Sequence, residues 1–146
     1  PWMDDISVLG YKGNMNDLSA TLGVVSMKYA DEIVGKFNAN GKLYNDLLKN
    51  IPGVELVPRE EGNFETYWVY TLLLEKRDQV MQALKAEGIV SSIVHPRNDE
   101  YSVFKESKRD LPGVDYYSAR ELSIPCGWWV EKEDIERIVE IIKKNA

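Results

Sequence analysis

Residues 10–50 read GYKGNMNDLSATLGVVSMKYADEIVGKFNANGKLYNDLLKN, a glycine-marked turn followed by a long run with helical periodicity. Apolar residues recur at steps of three, four or seven, which predicts one long amphipathic helix. The residues of this stripe are Leu18, Leu22, Val25, Tyr29, Ile33, Phe37, Tyr44 and Leu48. Asn14 or Asn16 can cap the start of the helix, and Pro52-Gly53 ends it.

This helix is long for the size of the chain. Roughly 30 residues at about 1.5 Å per residue give a length of about 45 Å. A compact chain of 146 residues has a radius of gyration of about 15 Å. We therefore expect either a bend at Gly35 or Gly41, or packing against protein outside this chain.

The rest of the chain alternates short apolar runs with helical ones. This order predicts an α/β (α+β) fold in a single domain, residues 1–146, with helices on one face of a small sheet. Gly88 stands where the glycine after a helix belongs. The predicted strands are 54–57, 66–74, 89–94 and 121–124, the predicted helices are 77–87, 113–120 and 131–145, and 95–112 is a polar loop.

Composition excludes several classes of partner and site. The net charge is −6, which argues against nucleic acid because phosphate binding needs a basic face. One cysteine and one histidine exclude an internal disulfide and predict no metal site. No apolar run is long enough for a membrane span and the N-terminus is no signal peptide. We expect a cytoplasmic protein without a membrane partner.

Residues 10–23 resemble the segment Gly-aromatic-x-x-x-Met/Leu-x-Asp/Asn-Ile/Leu-x-Ala-x-Leu-Gly that opens the C-terminal part of DegT/StrS-type sugar aminotransferases. The later order also resembles this family: Pro-Gly-Val, an aromatic strand, Arg-Asp opening a helix, Gly-Ile, a polar loop, then Leu-Ser-Ile-Pro before an acidic final helix. These enzymes use pyridoxal phosphate to place an amino group on nucleotide-linked keto sugars.

The resemblance implies a specific place for this chain within a larger enzyme. It would be the small C-terminal domain of a fold like that of aspartate aminotransferase, and residues 1–12 would enter from an N-terminal domain that binds pyridoxal phosphate. It also implies a homodimer with shared active sites, a nucleotide-sugar substrate and an amino-acid donor, glutamate.

A catalytic lysine is expected elsewhere. Such a lysine needs a desolvated pocket to form its Schiff base. The lysines of this chain lie in charged or amphipathic contexts, among them Lys28, Lys36, Lys85 and Lys143. We therefore assign no catalytic residue to this chain and predict that it does not transaminate by itself.

Cofactor contacts are expected at the turn before the helix. The resemblance places a polar side chain of this turn, Asn14 or Lys12, on the cofactor phosphate of the neighbouring subunit. A helix N-terminus suits a phosphate physically. Gly13 stands where the family usually has an aromatic residue, and Asn14 could instead be only the helix cap.

Substrate contacts are expected from His95, Arg97 and Asn98. They follow a predicted strand end, where α/β folds often place site residues, and the Arg97 fork suits a phosphate. The sequence His-Pro-Arg-Asn-Asp departs from the family's frequent His-aromatic-Pro-x-His, so the substrate is expected to differ. The alternative is a solvated polar loop with a structural histidine.

Large aromatic residues and the cysteine have plainer interpretations. Trp68, Trp128 and Trp129 are expected in the core or at an interface. Cys126 has no neighbouring base and is not expected to be a nucleophile. A different class of function stays open: a free-standing α/β module that binds a small molecule or oligomerises without catalysis. Such a module should be monodisperse, whereas a fragment with an exposed apolar helix should associate.

Overall fold

The structure is a computed structural model that describes Tyr11, residues 13–60 and residues 62–146, except for the side chain of Lys105. Residues 1–10 and Lys12, and with them most of the predicted entering segment, lie outside the described residues. The chain comprises two compact units, Pro1–Asp31 and Glu32–Ala146. The assignment of residues 1–146 to one domain stays a prediction.

The long helix of the sequence prediction is two helices. The first, α1, spans Asp17–Met27, and the second, α2, spans Ala30–Leu48. Between them the N–H groups of Lys28 and Tyr29 donate to carbonyl oxygens three residues back, at 3.2 and 3.0 Å, which tightens the turn and interrupts the helix. Helix α2 continues through Gly35 and Gly41, so the helical run is interrupted at Lys28 and Tyr29 and not at either glycine.

Three antiparallel strands form the sheet, in the order β1 (Val54–Leu56), β2 (Tyr70–Leu74) and β3 (Glu121–Ile124). Leu72, in the central strand, lies opposite Leu56 on one side and Leu122 on the other. Strand β2 is shorter than the predicted run 66–74, since its first four residues lie outside the ladder. The mixed fold with a small sheet is confirmed.

The predicted strand 89–94 is reduced to one bridge. Ser92 and Ser123 exchange two backbone hydrogen bonds of 3.1 and 2.9 Å. Val90 is 81% exposed, so the segment lacks the packing that would favour a longer strand. Because Ser92 runs antiparallel to β3, it runs parallel to β2, which is the direction that the predicted strand–helix–strand crossover requires.

One face of the sheet carries the core. Helices α3 (Arg77–Ala86) and α5 (Lys132–Asn145) pack there with the second half of α2. The buried apolar side chains include Tyr44, Leu48, Tyr70, Leu72, Leu74, Val80, Leu84, Leu122, Ile124, Ile135, Ile138 and Ile142. Gly88 follows α3 with a φ of 75°, the left-handed conformation that favours glycine.

A fourth helix departs from the prediction that all helices share one face. This helix, α4 (Pro112–Arg120), lies against the opposite face, where the hydroxyl of Tyr116 donates a 2.5 Å hydrogen bond to Glu55. The loop before it contains two short 3₁₀ helices, Asn98–Glu100 and Ser102–Ser107. Among the helices that the structure describes, none has the length and apolarity to span a bilayer.

Candidate cofactor and substrate sites

The turn before α1 separates two roles that the sequence left open. Asn16 is the helix cap: its Oδ1 accepts a 2.8 Å hydrogen bond from the backbone N–H of Ser19. Asn14 is exposed and makes no side-chain hydrogen bond to any residue that the structure describes. Its amide is therefore not needed for capping and can face a ligand.

The start of α1 also fits a phosphate through its backbone. The N–H groups of its first turn point out of the N-terminal end of the helix and have no carbonyl partner within it. The first intrahelical bond is the one from Ala20 N to Asn16 O, at 2.9 Å, which leaves the N–H groups of Asp17 and Leu18 outside the ladder. The Asp17 carboxylate lies in the same turn, and its negative charge opposes the binding of an anion here.

Helix α1 has no buried residue. Leu18 is 73% exposed, Leu22 62% and Met27 72%. Of the apolar stripe predicted along the helix, only Tyr44 and Leu48 are buried. The apolar side chains of α1 and its flanks that remain exposed are Met15, Leu18, Leu22, Val24, Val25, Met27 and Tyr29. An apolar surface of this kind marks an interaction site.

Arg97 is engaged inside the chain. Its Nε and Nη2 donate to the two carboxylate oxygens of Asp99 at 2.9 and 2.7 Å, and its Nη1 donates to Asp115 on α4. This bidentate hydrogen bond lowers the pKa of the Asp99 carboxyl below its usual range. The Arg97 side chain is only 11% exposed, whereas that of Asp115 is 56% exposed. Asp115 is therefore the partner that a ligand could replace.

The structure brings Arg97 together with residues of α4 and β3. A cavity of about 350 Å³ is lined by Pro96, Arg97, Asp115, Ser118 and Glu121, among others. His95 and Asn98, the other two predicted substrate residues, are exposed and are not part of this lining. The predicted trio therefore divides into one residue inside the cavity and two on the loop surface.

Glu121 was missed by the sequence reasoning. It is 1% exposed, and its Oε1 has no hydrogen-bond partner among the described residues. Burial raises the pKa of this carboxyl, and the Tyr117 hydroxyl, His95 and Arg77 partly offset that effect. The available signal was a carboxylate at the first position of a strand otherwise made of Leu, Ser and Ile.

A second cleft, of about 520 Å³, lies beside the segment that leads into β2. Arg59, Phe64 and Trp68 line it. The Arg59 guanidinium lies 2.9 Å from Glu65 and stacks over the Tyr67 ring, 4.9 Å from its centroid. Trp68 is 69% exposed, so it lies on the surface of this cleft and not in the core.

The tryptophan pair and the cysteine have structural surroundings. The Trp129 ring meets Phe37 edge to face at a centroid distance of 6.2 Å, and Trp128 at 5.8 Å. Trp128 is 48% exposed and Trp129 62%, so both lie outside the core; their place at an interface stays a prediction. Cys126 is 1% exposed and its burial raises the thiol pKa to about 12. A nucleophilic role is not supported.

The family model described as DegT/DnrJ/EryC1/StrS aminotransferase family matches residues 2–143. The chain belongs to this family. Among solved structures, the chain is similar to the sugar aminotransferase CalS13 from Micromonospora echinospora, with 31% identity and a TM-score of 0.91. The match covers 96% of this chain and 38% of the CalS13 chain. The DegT/StrS resemblance of the sequence is thus confirmed.

Two further comparisons agree with this family assignment. The dTDP-4-dehydro-2,3,6-trideoxy-D-glucose 4-aminotransferase of Saccharopolyspora spinosa is 25% identical over 98% of this chain and 38% of its own length. Spr1654 of Streptococcus pneumoniae, solved in a PLP-form, shares the fold at 20% identity and a TM-score of 0.78, over 99% of this chain and 39% of that one. The chain spans about 40% of the length of the curated relatives it matches.

Proposed function

We propose that residues 1–146 form the C-terminal small domain of a pyridoxal-phosphate-dependent aminotransferase that acts on a nucleotide-linked keto sugar, with an amino acid, glutamate, as donor. The family match over residues 2–143 carries this proposal. The likeness to CalS13, a sugar aminotransferase, supports the substrate class. The coverage of about 40% of the curated relatives supports a further domain in the active enzyme.

The reactive lysine is assigned to that further domain. When bound, pyridoxal phosphate supplies an electron-withdrawing ring that stabilises the carbanion formed during amino transfer. Every lysine whose side chain the structure describes is exposed. An exposed lysine is strongly solvated and lacks the desolvation that activates this residue type. The present chain is therefore expected to be inactive alone.

The role proposed for this chain at the cofactor is to bind its phosphate in trans. Asn14 and Lys12 would contact the phosphate bound by the partner subunit. Support comes from the capping by Asn16, which leaves the Asn14 amide available, and from the helix N-terminus beside it. The Asn14 amide and the helix N-terminus would hold the phosphate without taking part in proton transfer.

At the substrate, this chain would supply His95, Arg97 and Asn98. Arg97 is oriented by Asp99, and its Nη1 can exchange the exposed Asp115 carboxylate for a phosphate of the nucleotide sugar. We expect Asp115→Asn to lower the KM for the nucleotide sugar a few-fold and Arg97→Gln to raise it, as for exposed charge pairs. A higher KM in Asp115→Asn together with a lower KM in Arg97→Gln would exclude Arg97 as a phosphate ligand.

The exposed apolar surface of α1 supports a homodimer. These side chains cannot be buried within α1 itself, and a second copy that also presents its cofactor turn would cover them. We place the enzyme in the cytoplasm, because a chain with one cysteine has no disulfide framework for an oxidising compartment.

The experiment compares the 146-residue chain with the same chain extended into its upstream coding sequence. We expect only the extended protein to show the visible absorbance band of bound pyridoxal phosphate and to form 2-oxoglutarate from glutamate when a keto-sugar nucleotide is added. In the extended protein, Asn14→Ala should weaken pyridoxal phosphate binding about tenfold, and Asn50→Ala should not. An extended protein that binds no cofactor, with a monodisperse and colourless 146-residue chain, would favour the free-standing binding module.

A further inference from the structure

Two large aromatic side chains are exposed at the cleft beside β2. Phe64 is 66% exposed and Trp68 69%, and both line this cleft of about 520 Å³. Contact of two such rings with water is unfavourable. Exposed apolar side chains in a concave surface are typical of a ligand-binding groove, and aromatic rings suit a ligand with a flat face.

The charges in the lining of this cleft balance. Among the described residues, Arg59 and Glu65 are its charged members, and their side chains pair at 2.9 Å. The Arg59 guanidinium also lies over the Tyr67 ring, so this cation is engaged on two sides. A neutral ring with polar edges fits such a surface better than a phosphate. The Asn63 amide and the Thr66 hydroxyl, in the same lining, can hydrogen-bond those edges.

The sheet places the cleft next to the cavity that contains Arg97. Thr71 of β2 lines the cleft, and Glu121 of β3 lines the cavity. Thr71 pairs with Ser123 in the ladder, and their hydroxyl oxygens are 2.9 Å apart. Ser123 and Glu121 are two residues apart on one strand, so they share a face of the sheet. Thr71 and Glu121 are therefore diagonal neighbours, about 7–8 Å apart.

A nucleoside diphosphate matches this arrangement. It has a flat, neutral base at one end and phosphates at the other, with a ribose to span the short distance between cleft and cavity. Binding by the phosphates alone would be weak. At Arg97 they compete with Asp115, and the carboxylates of Glu100 and Glu121 in the same lining repel them. Stacking of the base supplies affinity that this acidic cavity opposes.

We infer that the cleft beside β2 binds the base of a nucleoside diphosphate, with the base stacked against Phe64 and Trp68 and the phosphates directed to Arg97. The inference rests on the proposed function for the nucleotide part of the substrate and adds the place where its base is held. Stacking accepts every base because each has a π-face. Selection among bases then falls to hydrogen bonds from Asn63 and Thr66.

NMR of the 146-residue chain, without pyridoxal phosphate, tests the inference. The chain has four tryptophans, and Trp68→Leu assigns the indole N–H signal of Trp68. We expect thymidine diphosphate to shift this signal, whereas pyrophosphate and glucose leave it in place. Arg97→Gln should weaken the binding of thymidine diphosphate and leave the binding of thymidine unchanged, because only the diphosphate reaches Arg97.

Substitutions of the two rings measure their contribution to affinity. Trp68→Leu should weaken the binding of thymidine diphosphate about tenfold in an NMR titration, and Phe64→Leu should act in the same direction. Trp128→Leu is the matched control, since Trp128 is an exposed tryptophan outside the lining of the cleft, and it should leave the affinity unchanged. All three side chains lie outside the core, so the variants should fold.

Equal affinities of the wild type, Trp68→Leu and Phe64→Leu would overturn the inference. So would a Trp68 signal that does not respond to thymidine diphosphate at millimolar concentration. A shift with glucose as large as that with thymidine would assign the cleft to a sugar and also overturn it. None of these measurements requires bound cofactor or amino transfer, so their failure is distinct from a failure of the proposed aminotransferase activity.

Discussion

The hydroxyl of Tyr44 in α2 donates a 2.9 Å hydrogen bond to the backbone oxygen of Pro125, the residue that follows β3. The Tyr44 ring is fully buried and lies 4.8 Å from the ring of Tyr70, centroid to centroid. This pair of contacts joins α2 to the sheet. It makes Tyr44 a contact between two elements that are distant in the chain.

Replacing Tyr44 with phenylalanine removes that bond and leaves the Pro125 oxygen without its donor. We expect the free energy of unfolding to fall by about 1–3 kcal/mol, the cost of an unsatisfied buried acceptor. Urea unfolding followed by circular dichroism measures it. Tyr101→Phe, at an exposed position, is the control, and equal unfolding midpoints for the two variants would contradict the prediction.

Alkaline pH should destabilise the fold through the same side chains. Burial raises the pKa of Tyr44 and of Tyr70 well above the ordinary tyrosine value. Above about pH 10 the unfolded chain therefore loses protons that the native state keeps, so the unfolding free energy decreases as pH rises. Below that pH these groups add no pH dependence. The difference between the urea midpoints of the wild type and Tyr44→Phe should be smaller above pH 10 than at pH 8, because only the wild type loses the contribution of Tyr44.

Gly41 is needed for close packing of Tyr67 on α2. A Cβ at this position would overlap the Tyr67 ring, whereas a Cβ at Gly35 meets nothing within 4 Å. We expect Gly41→Ala to destabilise the protein by about 1–3 kcal/mol through overpacking. Gly35→Ala should stabilise it by about 0.5–1 kcal/mol, because alanine favours the helix. Thermal unfolding of both variants tests the contrast, and a stabilised Gly41→Ala would refute it.

Cys126 should be inert in the folded protein. Its thiol is buried and its pKa is raised to about 12, so almost no thiolate exists near neutral pH. We expect no reaction with a thiol reagent at pH 8 until urea unfolds the chain, after which one thiol per chain reacts. Rapid labelling under native conditions would show that the segment around Cys126 opens readily.

Self-association should depend on α1. Leu22→Glu places a charge on the exposed apolar surface, where it opposes burial against a second copy. We expect the variant to shift the extended protein from the proposed dimer to a monomer in analytical ultracentrifugation, with little change in secondary structure. Gln82→Glu adds the same charge on α3, at an exposed position, and should leave the dimer intact. A Leu22→Glu variant that remains dimeric would remove α1 from the interface.

The elements that sequence predicted best carry their own boundary chemistry. The predicted strand 121–124 has the observed bounds, and Pro125 follows its end. The predicted helix 131–145 begins one residue before α5, whose start carries a capping box of Glu131 and Asp134. The interruption after α1 was not foreseeable from Gly or Pro, since Lys28 and Tyr29 carry no breaking tendency. The segment around Ser92 forms only one bridge because of how it packs, and the periodicity of the sequence does not reveal that packing.

The candidate site was predictable only in part. His95, Arg97 and Asn98 stood out as polar residues after an apolar run. The partners of Arg97 did not, because Asp115 is eighteen residues away in the chain and reaches it only through the placement of α4. Glu121 is a carboxylate at the start of a largely apolar strand, but its burial is a property of the folded sheet and cannot be deduced from its neighbours in sequence.

The connection between β2 and β3 bears on how freely the candidate substrate loop can vary. These strands pair directly, although residues 75–120, with the candidate substrate loop among them, lie between them in the chain. Lengthening a connection that is already long costs little, about 0.6 kcal/mol for each doubling. Insertions and deletions between His95 and Pro112 should therefore be tolerated by the sheet, so the candidate substrate loop can vary while the scaffold stays the same.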